Sequence, residues 1–106
     1  MVVLLALAAC APEGGDSGAT CNAADTYSWE NWGEGFFVTY CNACHAASSP
    51  NRFGAPVAAR FDTLDEVRDQ RDLIEALVIE AQTMPVGGGV RPEDLDGLEV
   101  FLACGL

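Results

Sequence analysis

Apolar and aromatic side chains recur at three- and four-residue intervals in three stretches of this chain, and that spacing predicts helices. In the first stretch Trp29, Trp32, Phe36, Phe37 and Tyr40 follow Ser28, whose hydroxyl suits a helix N-cap. In the second, Thr63 and Glu66 have capping-box spacing, and Leu64, Val67, Leu73, Ile74, Leu77, Val78 and Ala81 form an apolar stripe with a break expected near Arg71. In the third, Pro92 suits the first turn, Glu93 and Asp94 suit its positive end, Leu95, Leu98, Phe101 and Leu102 face inward, and Gly105 stops the helix. Between these stretches, residues 46–59 carry Ser48, Ser49, Pro50, Asn51, Gly54 and Pro56, and residues 83–90 carry Pro85 and three successive glycines. Such a density of turn formers reads as irregular loop. No strand-like alternation of useful length occurs. The pattern predicts an all-α domain of three to four helices with irregular loops and no significant sheet.

The start of the chain has a different character. Val2 to Ala9 is an apolar run, and Leu7-Ala8-Ala9-Cys10 resembles the lipobox of a bacterial lipoprotein signal, although no Lys or Arg precedes the run. The run is too short to span a bilayer. From Ala11 to Ala24 the composition shifts to Pro, Glu, Gly, Asp, Ser and Thr, which reads as a flexible spacer. The expected organisation is a signal segment over 1–9, a tether over 10–26 beginning at a lipidated Cys10, and one folded domain over 27–106. The expected location is the bacterial periplasm or cell envelope, with the lipid on Cys10 as the only membrane attachment.

Charge narrows the partners. The 106 residues include no lysine, five arginines and sixteen acidic side chains, for a net charge of -11. A polyanion would be repelled within the screening length, which excludes nucleic acid as an expected partner. Five cysteines are many for a cytosolic chain of this size and suit an oxidising compartment together with a cofactor.

Cys41-Asn42-Ala43-Cys44-His45 has the form C-x-x-C-H, which reads as covalent attachment of haem. On one helical turn Cys41, Cys44 and His45 share a face, so two thiols reach the two vinyl groups while the imidazole meets the iron from the same side. Zinc would need further ligands, and His45 is the only histidine. A thioredoxin-like dithiol would need a preceding strand rather than an aromatic helix. A plain Cys41–Cys44 disulfide would leave the aromatic cluster and Met84 without a role. For the far side of the iron, lysine is absent and Met1 belongs to the signal, which leaves Met84, in Thr83-Met84-Pro85, as the internal soft ligand. Without the haem motif Met84 reads as core filling; with it, the sixth position is either Met84 or open.

From Tyr27 to Leu106 the chain resembles a class I cytochrome c. An N-terminal helix leads into C-x-x-C-H, a loop with Gly and Pro follows, then a Met-Pro loop, then a closing helix. The resemblance implies a cytochrome c fold around one covalent haem c, in which the first and last helices cross with Gly33 and Phe37 meeting Leu98 and Phe101. It implies a loop proline carbonyl, best matched by Pro56 with Pro50 as the other choice, that accepts the second ring nitrogen of His45. Arg52 or Arg60 would reach a haem propionate or remain a solvated surface charge. Cys21 and Cys104 would flank the crossing helices and form a disulfide. The function implied is one-electron carriage between redox partner proteins by a monomeric, non-enzymatic domain with His45 and Met84 on the iron. The alternative is a haem-based sensor or ligand-binding module with a labile or open sixth position.

Overall fold

Ser28 opens the first helical region in an extended conformation, and its Oγ accepts the amide of Asn31 at 3.1 Å. The computed structural model of the chain describes Cys21 and residues 27–106. The expected signal segment over 1–9, the lipidated Cys10 and, apart from Cys21, the tether over 10–26 lie outside the described residues.

The region begins with a wide π-helical turn, Trp29–Gly33, and continues as α1, Glu34–Tyr40. The carbonyl of Ser28 accepts both Trp32 N at 3.0 Å and Gly33 N at 2.9 Å, so the opening turn is one residue looser than an α-helix. After Cys41 the chain re-forms a single turn, α2, Asn42–His45. The loop that follows is tied back onto α2: Asn42 Nδ2 donates to Phe61 O at 3.0 Å and Ala47 N donates to Asp62 Oδ2 at 2.8 Å.

Thr63 and Glu66 form the expected capping box and start α3, Leu64–Asp69. Gln70 breaks the helix at the expected place, after which α4, Arg71–Ile74, runs into a π-helical stretch, Glu75–Glu80. The break and the widened turns alter the register of the apolar stripe. Val67, Ile74 and Val78 are buried while Leu73, expected inward, is 53% exposed. Pro92 occupies the first turn of α5, Pro92–Cys104, which Gly105 follows as C-cap. No strand occurs among the described residues, so the all-α expectation holds. No described helix is long and apolar enough to cross a membrane.

Two glycines let the first and last helices cross closely. A Cβ on Gly33 would lie 2.7 Å from Phe101 Cζ, and one on Gly97 would lie 2.6 Å from Trp32 Cζ2. Each helix thus offers bare backbone to the other's aromatic ring. Phe37, Leu98 and Phe101 are fully buried beside this crossing and belong to one cluster with Phe36, Phe61, Val67, Ile74, Val78 and Leu102. Of the positions expected to meet, Gly33 and Phe37 both face Phe101, and Leu98 lies in the same buried cluster. The Cys21–Cys104 disulfide is present, with the two Cα atoms 5.1 Å apart across 83 residues of sequence. At the same end, Arg71 Nε donates to the Leu102 carbonyl at 3.1 Å and its Nη1 pairs with Glu75 at 2.8 Å, which joins α4 to the last turn of α5.

Candidate functional site

The packed aromatic face of α1 delivers Cys41, Cys44 and His45 to one place. Cys44 N and His45 N both bond to the Cys41 carbonyl, at 3.2 and 3.0 Å, so the three residues are wound on one turn. All three side chains are half-buried, and neither thiol is in a disulfide. Burial pushes the Cys41 thiol up to about 12.

His45 is held from two sides. Its Nδ1 lies 2.7 Å from the Ala59 carbonyl, and its ring packs on Phe61 with centroids 4.8 Å apart. A carbonyl only accepts, so the bond places a proton on Nδ1 and leaves Nε2 as the nitrogen that can meet a metal. Two unpaired thiols and one imidazole nitrogen on a shared turn are the groups that thioether attachment of a haem and ligation of its iron would use. No group of three or more His, Cys, Asp or Glu side chains suited to a metal ion occurs among the described residues.

The carbonyl on His45 is not that of Pro56. The Pro56 oxygen accepts Ala59 N at 2.9 Å and Arg52 Nη2 at 2.9 Å, closing a turn whose far end swings the Ala59 carbonyl onto the imidazole. Neither arginine considered for a propionate is a free surface charge. Arg52 donates to the carbonyls of Ala46 at 2.7 Å, Ala55 at 3.4 Å, Pro56 and, at 3.3 Å, Ala59. Arg60 pairs with Glu66 at 3.2 Å.

Met84 is carried by another part of the fold. Its amide and that of Thr83 both bond to the Leu77 carbonyl, at 3.2 and 2.9 Å, which folds the chain back from the Glu75–Glu80 stretch. The side chain is 37% exposed and lines an open pocket of about 60 Å³ with Val78, Val90, Leu95 and loop glycines. The residues that sequence reasoning did not find are Ala59, Phe61 and the carbonyl-binding role of Arg52. A backbone carbonyl has no side-chain signature, and Phe61 stands alone between a loop and a cap; only Arg52 carries a signal, as a charge considered for a propionate or the surface in the loop that contains Gly54 and Pro56. Comparison with protein-family models, with curated proteins and with solved structures finds no match to this chain.

Proposed function

We propose that this chain is a single-haem c-type cytochrome domain that carries one electron at a time. The observation that carries the reading is His45: its Nδ1 proton is committed to the Ala59 carbonyl, so Nε2 is presented as a ligand on the same turn as two unpaired thiols. Cys41 and Cys44 would hold the porphyrin through thioether bonds, His45 would ligate one face of the iron, and Met84 would ligate the other. The haem, when bound, supplies a one-electron couple. The chain's own part is to fix the imidazole, exclude water with Phe61 and its neighbours, and keep the covalent anchor rigid through the crossing of α1 and α5. Methionine ligation favours the reduced state and implies a moderately positive potential. The Gly33, Phe37, Leu98 and Phe101 cluster supports the class I cytochrome c resemblance, because those are its expected crossing positions. The Cys21–Cys104 disulfide supports an oxidising compartment, and with it a periplasmic or envelope location anchored through Cys10.

A second reading, a haem sensor with a labile sixth position, is favoured by the exposure of Met84 and by the three positive-φ glycines, 87–89, in its loop. Expression in a host able to attach haem, followed by acid-acetone extraction and a spectrum of the reduced protein, tests the haem assignment. Retention of the chromophore on the polypeptide is expected, and its complete extraction would refute covalent attachment. Fast, stoichiometric carbon monoxide binding at neutral pH would favour the sensor, and a far-red sulfur-to-ferric band would favour the carrier.

A further inference from the structure

We infer that Arg52 is a positioning residue for His45: its guanidinium gathers the carbonyls of the 46–59 loop and holds the Ala59 carbonyl against the imidazole, thereby setting the ligand's basicity. The inference rests on the haem reading of His45. Arg52 donates through Nη1 to Ala46 O at 2.7 Å and through Nη2 to Pro56 O at 2.9 Å, so both short bonds go to backbone rather than to a carboxylate. The same Nη2 reaches Ala59 O at 3.3 Å, the oxygen that His45 Nδ1 meets at 2.7 Å. The side chain therefore touches the start of the loop, immediately after His45, and both ends of the turn that delivers the acceptor.

The loop is pinned to α2 at its ends, where Asn42 Nδ2 donates to Phe61 O at 3.0 Å, Phe61 N to His45 O at 3.4 Å and Ala47 N to Asp62 Oδ2 at 2.8 Å, but between them regular structure is sparse. Residues 51–60 contain no helix or strand, the Arg52–Ala55 turn is built on left-handed Phe53 at φ 50° and Gly54 at φ 85°, and Phe53 and Val57 are 77% and 73% exposed. A planar fork with five donors can span carbonyls pointing from several directions, and an ammonium at the same position keeps the charge but cannot reproduce the fork. The other four arginines are paired with carboxylates: Arg60 with Glu66, Arg68 with Asp65, Arg71 with Asp72 and Glu75, and Arg91 with Glu93. Arg52 alone is committed to the carbonyls beneath the candidate ligand.

A strong acceptor on Nδ1 gives the imidazole partial anionic character, which favours the oxidised state of a metal on Nε2. Loss of the fork frees the Ala59 carbonyl and weakens that bond. The test compares haem-loaded wild type with Arg52→Lys and Arg52→Gln. In both variants the His45 Nδ1 proton, followed by NMR, is expected to exchange with solvent faster. In Arg52→Lys, where the charge is conserved, the midpoint potential is expected to rise. A lowered melting temperature with unchanged proton exchange and unchanged potential would assign Arg52 a structural role only and overturn the inference. Wild type that retains no covalent haem would instead overturn the haem reading, and that result is visible before either variant is measured. Should Arg52→Gln fail to fold, the Arg52→Lys comparison decides alone.

Discussion

Replacing Gly33 by alanine and, separately, Gly35 by alanine should change stability in opposite directions, although the two glycines are two residues apart in one helical region. At Gly35 a new Cβ meets nothing within 4 Å, so the expected effect is the ordinary gain in helix propensity, about 0.5 to 1 kcal/mol. At Gly33 the same methyl would lie 2.7 Å from Phe101 Cζ and 2.8 Å from Cε2, well inside contact distance. Phe101 is fully buried and is hemmed by Trp29, Trp32 and Phe37, with ring centroids 6.4, 6.0 and 6.3 Å away, so it cannot swing aside cheaply. Overpacking of this kind costs about 1 to 3 kcal/mol, which exceeds the propensity gain and leaves Gly33→Ala destabilised by up to ~2 kcal/mol. Thermal unfolding of the haem-loaded proteins, followed by far-ultraviolet circular dichroism, reads both. In a domain of this size each kcal/mol moves the midpoint by roughly 4 to 8 °C, so the variants should separate clearly on either side of wild type. A Gly33→Ala protein as stable as Gly35→Ala would mean that the first and last helices do not cross at Gly33 and Phe101.

Three further outcomes are expected. Cys104→Ser opens the 83-residue separation closed by Cys21 and should cost up to about 4 to 5 kcal/mol in the chain-entropy model, measured by denaturant titration; no loss would show that the disulfide does not constrain the unfolded chain. Met84→Ala should abolish the far-red sulfur-to-ferric band, lower the midpoint potential and admit carbon monoxide rapidly, and an unchanged spectrum would remove Met84 from the iron. Tyr40 donates to Asp94 Oδ2 at 2.6 Å, and that bond, with smaller contributions from burial and the Asp94 charge, raises the phenol above its ordinary value of 10.0. Because the folded state holds this proton more tightly, the contribution is complete below pH 10 and is lost as pH rises through the folded value, so wild type should lose more stability than Tyr40→Phe between neutral pH and the alkaline range. Parallel pH profiles would show that the bond contributes nothing.

The parts of this protein legible in the sequence are those that depend on near neighbours. Ser28, the Thr63 and Glu66 box and Pro92 start helices because the amides they satisfy or free lie within one turn. Cys44 and His45 wind onto the Cys41 carbonyl because the amides at i+3 and i+4 come within reach of it on one turn. The break at Gln70 is visible as an interruption near Arg71, but the widened turns at Trp29–Gly33 and Glu75–Glu80 are not, since a π-turn is a rare local variant with the same apolar spacing as the helix around it. Leu73 faces outward because the break and the widened turns alter the register of the stripe.

Tertiary structure alone decided the surroundings of His45. Every residue but proline carries the same amide and carbonyl, so nothing in Gly54-Ala55-Pro56-Val57-Ala58-Ala59 marks which oxygen will meet the imidazole. Arg52 spans the loop from Ala46 to Ala59, and the turn from Pro56 to Ala59 brings the last of those carbonyls to the ring. By itself the sequence determined an all-α chain with two thiols and one imidazole on a single turn. The three-dimensional fold decided which carbonyl orients that imidazole, that Arg52 is committed to backbone, and that Gly33 and Gly97 are small because a ring from the opposite helix occupies the space, since each of these depends on atoms far apart in the chain that meet only when the loop and the helices close.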